Sequence, residues 1–221
     1  MSNDESQIKK VLIVDDHPIV RWGVVRLLAG EKDFFVCGEA EDTDEALEKI
    51  EQTKPDVVVL DLSLKNSSGI DLIKIAKGRF HYPFHMLVMS IYEEAILVER
   101  AIRAGARGYI VKSEASEHLI AAIRSVLDGK FYLSERTKEQ TLRSEFSGAH
   151  DDAMFSLSDR ELETFQLIGD GMSTTDIAKN LHLNIKTVEG YRANIREKLD
   201  LRDNMTLVRR AMLWGRESQA A

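Results

Sequence analysis

The chain has 221 residues, 43% of them hydrophobic and 30% charged, enough for one large domain or two small ones. That composition excludes a chain disordered throughout. The net charge of −7 argues at first against nucleic acid. No apolar run nears the about 18 residues of a membrane span, because Val11 to Val14 and Val57 to Leu60 are each closed by aspartate. The polar start, Met1 to Lys10, carries no signal-peptide pattern, so a soluble, cytoplasmic chain is expected. Cys37 is the single cysteine, which leaves no internal disulfide and no cysteine-based zinc site. Its apolar neighbours predict a buried, small hydrophobic residue.

In chain order, short runs rich in β-branched residues alternate with stretches of helical period. Strands are predicted at Lys10–Val14, Phe34–Glu39, Val57–Leu60, Met86–Met89 and Gly108–Val111. Helices are predicted between and after them, at Ile19–Leu28, Thr43–Gln52, Gly69–Ala76, Glu93–Ala104 and Ser116–Leu127. Alternation of this kind implies an α/β, doubly wound, five-stranded parallel sheet covered on both faces. Sites in such sheets form beyond the carboxyl ends of the strands.

From about residue 133 the composition turns polar and reads as a linker with at most a short helix. The remainder is all helical in pattern. Ser158 with Glu161 forms a capping box before Leu162, Phe165, Leu167 and Ile168. Gly171 stops that helix, Ser173 or Thr174 caps a second, and His182-Leu183-Asn184 turns the chain into a third helix, Ile185–Leu199. A fourth covers Asn204–Trp214. The division is residues 1–132, linker 133–153, and a four-helix region 154–221.

Two groups of residues carry chemistry. Asp15 and Asp16 follow the first strand, Asp61 ends the third, Ser90 the fourth and Lys112 the fifth, so all converge on one sheet edge. Crowded carboxylates call for a protonated member or a bound hard cation, and oxygen donors favour Mg²⁺ or a similar ion. Lys112 suits an anionic group and Ser90 can hydrogen-bond its oxygen. A lone aspartate after a strand is usually only a turn or cap, but five suitable groups at one edge disfavour that reading. His17 reads as a solvated residue beside the helix cap.

The charge is unevenly distributed. Lys179 to Arg216 holds nine Lys or Arg against four Asp or Glu. A locally basic segment can bind a polyanion although the whole chain is acidic, since phosphate contacts act within about 8–10 Å. In the third helix Val188, Ile195 and Leu199 face inward, while Lys186, Arg192, Arg196 and Lys198 spread over the rest of the surface. A helix, a short turn and a basic helix form the arrangement that enters a DNA major groove.

The first half, residues 8 to 129, resembles the receiver domain of two-component response regulators on its Val-Leu-Ile-Val-Asp15-Asp16-His17-Pro18, Val-Val-Val-Leu-Asp61, Met89-Ser90 and Gly-Tyr109-Ile-Val-Lys112 segments. Residues 154 to 215 resemble the LuxR/FixJ-type helix-turn-helix domain on Leu157-Ser-Asp-Arg-Glu161, Ile168-Gly-Asp-Gly171, Ile177-Ala178 and Lys186-Thr187-Val188-Glu189. Together they resemble a response regulator of the NarL/FixJ type. The resemblance implies that Asp61 accepts a phosphoryl group from a sensor histidine kinase, with Lys112 and Ser90 assisting. It implies Mg²⁺ on Asp15, Asp16, Asp61 and the backbone carbonyl of Ser63, and a switch pair of Ser90 and Tyr109. Ser63 and Tyr92 fall where the family tunes acyl-phosphate lifetime.

It further implies a phosphorylation-controlled transcriptional regulator that binds double-stranded DNA and pairs as a homodimer, self-association running over Glu93–Ala104, the fifth strand and Ser116–Leu127. The chain would be no enzyme beyond its own phosphotransfer and dephosphorylation. Ile185–Leu199 would be the recognition helix and Asn204–Trp214 the scaffold through which copies pair. Lys186, Thr187, Arg192, Arg196 and Lys198 would meet phosphate or groove, and Glu189, Gly190 and Ala193 occupy the base-reading slots. Glu189 could accept from a cytosine amino group and Ala193 touch a thymine methyl. Tyr191 divides evenly between packing and a phosphate bond. Two positions depart from the family: its frequent proline is Lys65, and its Lys-Pro pair is Lys112-Ser113, where a cis bond would cost about 3–4 kcal/mol. The rival readings are a metal-dependent phosphohydrolase with a helical dimerisation module, and a partner-binding adaptor.

Overall fold

The computed structural model describes residues 8–64, 67–92, 95–146 and 152–220. The chain forms two compact units that divide near residue 138. The first runs β1 (Lys9–Val14), α1 (Pro18–Leu28), β2 (Phe34–Ala40), α2 (Thr43–Thr53), β3 (Val57–Leu60), β4 (Ser63–Leu64), β5 (Ser67–Ser68), α3 (Gly69–Arg79), β6 (His85–Ser90), α4 (Ala95–Ala104), β7 (Gly108–Val111), a 3₁₀ turn (Lys112–Glu114), α5 (Ala115–Leu127) and β8 (Tyr132–Leu133). Lys65 and Glu93, which carry two of the sequence expectations, lie outside the described residues.

The main sheet has the order β2-β1-β3-β6-β7-β8 and every neighbouring pair is parallel. It therefore has six strands where the sequence predicts five. The addition is β8, whose two residues show no period of their own; they join because Gly129, at φ 76°, returns the chain to the edge of β7. A small antiparallel hairpin of β4 and β5 was likewise invisible to periodicity.

Val57 to Leu60 are fully buried, as a continuous apolar run in a sheet covered on both sides requires. One face, including Val11, Ile13, Val59, Leu87 and Ile110, packs on Val24 and Leu28 of α1 and on Leu119, Ile123 and Val126 of α5. Cys37 corrects its expectation: it is only half-buried, because β2 is the sheet's edge, and its Sγ lies 3.4 Å from Val11 O and from Thr53 Oγ1.

The polar stretch read as linker contains α6 (Glu135–Phe146). Ser134 Oγ accepts from Thr137 N at its start. The second unit holds α7 (Asp152–Phe155), α8 (Asp159–Gly169), α9 (Thr174–Asn180), α10 (Ile185–Lys198) and α11 (Asn204–Ala220). Each cap has a local cause: Ser158 and Glu161 form the capping box of α8, Ser173 caps α9 and Asn184 caps α10. Left-handed His182 (φ 53°) and Asp200 (φ 50°) turn the chain after α9 and α10. Among the described residues no helix is long and apolar enough to cross a membrane.

Candidate functional sites

The carboxyl ends of β1, β3, β6 and β7 bring the acidic and basic residues together. β1 lies between β2 and β3, so Asp15 N bonds Ala40 O at 3.0 Å and Asp61 N bonds Val14 O at 2.8 Å. Asp15, Asp61 and Ser90 are buried. Lys112 Nζ donates to Asp61 Oδ2 at 2.6 Å and pairs with Asp15 Oδ2 at 2.7 Å. Asp15, Asp16, His17 and Asp61 each offer a ligand atom, all within 4.8 Å of one another.

Burial pushes the Asp61 carboxyl up to about 7; the Lys112 charge opposes that rise and the Asp15 charge adds to it. Burial would lower the Lys112 ammonium, but the charges of Asp61 and Asp15 outweigh it and hold its pKa above the ordinary value. The Ser63 backbone N–H favours the ionised form of Asp61. Among the described residues, Asp15 Oδ2 meets the lysine without a further hydrogen-bond donor. Three carboxylates against one lysine leave an excess of negative charge and buried oxygen donors, a set that fits Mg²⁺.

Ser90 Oγ accepts from Tyr92 N at 3.2 Å, while Tyr109 OH donates to Tyr92 O at 2.8 Å. The main chain of Tyr92 thus joins the two residues expected to switch. Tyr109 is fully buried. The Lys112–Ser113 bond is trans, since no described peptide is cis.

Several residues of this neighbourhood escaped sequence reasoning. His17 is solvent-exposed as expected, but its Nδ1 lies 2.7 Å from Asp16 Oδ1 and 3.3 Å from Asp15 Oδ1. Arg21, one turn into α1, donates to Asp15 O at 2.6 Å and to Glu39 Oε2 at 3.2 Å, bracing the main chain under the pocket. Gly69 N donates to Leu62 O at 2.7 Å, bringing α3 against the chain just after Asp61. An arginine three places after Pro18 was the available signal for the second of these.

In the helical unit Val188 and Ile195 of α10 are buried and Leu199 is partly so. Lys186, Glu189, Gly190 and Ala193 are exposed; Thr187, Tyr191, Arg192 and Arg196 are half-buried. A Cβ at Gly190 would meet nothing within 4 Å. Burial, then the Arg196 charge, lower the pKa of Arg192. Lys198 Nζ is held by Glu161 Oε2 at 2.6 Å, so its charge is balanced inside the unit. Burial would raise Glu161, but bonds from Lys198, Ser158 and Asn194 keep its carboxyl below the ordinary value. Phe165 and Trp214 pack with ring centroids 5.8 Å apart, joining α8 to α11.

Comparison with known proteins agrees with this geometry. Residues 11–124 match the response regulator receiver domain, and residues 155–211 match the luxR family of bacterial regulatory proteins. The oxygen regulatory protein NreC of Staphylococcus haemolyticus is 34% identical over 92% of this chain and 96% of its own. The response regulator GacA of Pseudomonas aeruginosa is 33% identical over 93% of this chain and 96% of its own. A solved structure of RcsB from Salmonella typhimurium, described in terms of conformational dynamism for DNA interaction, has a TM-score of 0.66 at 26% identity, covering 93% of this chain and 98% of that one. An RcsB–DNA complex has a TM-score of 0.58 at 26% identity, covering 91% and 96%. A carboxylate-and-lysine pocket at the end of a parallel sheet, followed by a capped helix-turn-helix, therefore places this chain among the two-component response regulators of the NarL/FixJ type, transcriptional regulators with a receiver domain and a LuxR-type DNA-binding domain.

Proposed function

We propose that Asp61 is the phosphoacceptor of a switch that controls DNA binding, in a chain of receiver domain 1–132, linker 133–153 and DNA-binding domain 154–221. The reading rests on one observation: Lys112 Nζ stands within 2.7 Å of both Asp15 and Asp61. An Asp61 oxygen attacks the phosphorus of a kinase phosphohistidine; the O–P bond forms as the P–N bond breaks. The departing imidazole keeps the electron pair and takes up a proton. Lys112 then pairs with the phosphoryl oxygens and Ser90 donates its hydroxyl to them. Asp15, Asp16, Asp61 and the Ser63 carbonyl would hold Mg²⁺, which would supply charge neutralisation there.

The added charge of about −1.5 to −2 draws Ser90 toward the phosphoryl group. Movement of Ser90 disturbs Tyr92 and hence Tyr109, which shifts a pre-existing equilibrium toward the homodimer. Two copies of α10 then address half-sites of DNA, with Lys186, Thr187, Arg192 and Arg196 on phosphate or groove and Glu189, Gly190 and Ala193 at the base edges. Lys198 positions α10 through Glu161. Exposed Met205, Met212 and Leu213 of α11 supply apolar surface for pairing. Acting on chromosomal DNA, the chain works in the cytoplasm. The test supplies acetyl phosphate and Mg²⁺ and follows aspartyl phosphate and gel shift. One labelled aspartate per chain and tighter DNA binding are expected. Asp61→Asn protein that still takes up phosphate and still tightens on DNA would overturn the reading.

A further inference from the structure

We propose that His17 Nδ1 is a further donor to the divalent-ion pocket, giving it a higher affinity for borderline ions such as Zn²⁺ than its oxygen donors alone would give. The proposal rests on the reading of Asp15, Asp16 and Asp61 as a metal pocket. It begins from the way the chain holds the imidazole. His17 occupies the N-cap position of α1 with extended backbone, and Pro18 starts the helix behind it. His17 N donates to Asp15 Oδ1 at 2.9 Å, which anchors the residue to the pocket's most buried carboxylate. An N-cap side chain ordinarily accepts from the first free N–H groups of its helix; this one makes no such bond. Its Nδ1 turns instead to Asp16 Oδ1 at 2.7 Å and Asp15 Oδ1 at 3.3 Å.

Those separations are those of neighbouring ligands. Donors at adjacent corners of an octahedron with bonds of about 2.1 Å lie about 3.0 Å apart, and donors at opposite corners about 4.2 Å. The four ligand atoms stay within 4.8 Å of one another. The imidazole side chain is 59% exposed, so it can meet an arriving ion at the mouth of the pocket without a new group having to be buried. Oxygen donors alone suit Mg²⁺, whereas an imidazole nitrogen beside carboxylates suits Zn²⁺ and its neighbours in the first transition row. A borderline ion held in this way competes with Mg²⁺ for the carboxylates on which phosphorylation depends. The plainer role of His17 is to donate a hydrogen bond that orients Asp16, and it predicts no nitrogen on the ion.

The experiment uses full-length protein with Mn²⁺ as the spectroscopic ion. Spin-echo modulation reports an imidazole nitrogen bonded to Mn²⁺, and displacement of Mn²⁺ by Zn²⁺ or Mg²⁺ reports affinity at the pocket alone. His17→Asn keeps a good N-cap and so preserves the start of α1. We expect nitrogen modulation in the wild type and none in His17→Asn. Zn²⁺ affinity should fall at least about tenfold, the low end for loss even of an outer-shell partner, with Mg²⁺ affinity nearly unchanged. If Asp15→Asn and Asp61→Asn abolish Mn²⁺ binding but the wild type shows no nitrogen modulation, the pocket stands and the role of His17 is overturned. Mn²⁺ binding unaffected by Asp15→Asn and Asp61→Asn would overturn the pocket itself, and this proposal with it.

Discussion

Gly69 leaves no room for a side chain against Asp61: a Cβ at this position would overlap the main-chain carbonyl oxygen of Asp61 and lie 2.8 Å from Leu62 Cα. The first residue of α3 is thereby pressed onto the segment that carries Asp61. Backbone atoms cannot swing aside as a flexible side chain can, so an added methyl must move either the helix or the carboxylate.

Gly69→Ala is therefore expected to slow phosphorylation from acetyl phosphate by on the order of 10–100-fold through misplacement of Asp61. Overpacking should also cost about 1–3 kcal/mol. Gly78, in the same helix, is the control, since a Cβ there meets nothing within 4 Å. Gly78→Ala should leave the rate unchanged and add up to about 1 kcal/mol of stability. Equal rates in wild type and Gly69→Ala would remove the positioning role.

The raised Asp61 pKa gives a pH dependence with a definite sign. Its contribution to stability is fully present below the ordinary carboxylate value of 3.8 and is lost as pH rises through about 7, where burying the charge becomes unfavourable. At pH about 8 without metal, Asp61→Asn should melt above the wild type. Added Mg²⁺ should raise the wild-type melting temperature and barely move that of Asp61→Asn, and wild-type Mg²⁺ affinity should weaken as pH falls below about 7. A melting temperature of the apo wild type unchanged between about pH 5 and about pH 8, roughly two units below and one above the shifted value, would contradict this.

Glu161 has the opposite sign. Its carboxyl is held below the ordinary value of 4.5, so its contribution is present above that value and is lost as pH falls through the depressed one. Glu161→Ala removes the capping box and the partner of Lys198 together, and should destabilise the helical unit by about 1–3 kcal/mol at neutral pH. Circular dichroism across an acid titration should show the variant without the wild type's loss in the acidic range.

Lys186 and Lys198 lie in one basic helix but should behave differently. Lys186 is exposed, and Lys186→Ala should reduce the salt dependence of DNA binding by about one unit of slope while leaving stability unchanged. Lys198 is tied to Glu161, and Lys198→Ala should lower stability with little change in the slope. Equal slopes lost in the two variants would show that Lys198 leaves Glu161 to meet phosphate.

Much of the fold was legible because its signals are local. Val57 to Leu60 announce a doubly covered strand, and Ser158 with Glu161 announces the start of α8 within four residues of chain. β8 was not legible: two residues carry no period, and only the exposed edge of β7 makes Tyr132–Leu133 a strand. Cys37 was misread for a related reason, since alternation cannot tell an edge strand from a central one. For α11 the apolar period marks Asn204–Trp214, but the helix continues through polar residues to Ala220.

The order of strands and helices, the caps, and the presence of Asp15, Asp16, Asp61, Ser90 and Lys112 at strand ends were determined by the amino-acid sequence, because periodicity and capping act over a few residues. Which of these atoms touch was decided by tertiary structure alone. Lys112 meets Asp61 across 51 positions of chain, Lys198 meets Glu161 across 37, and Gly69 meets Asp61 only because α3 folds back on its own strand. A contact between residues far apart in the chain depends on strand order and register, to which the packing of the whole unit contributes and which no local pattern encodes.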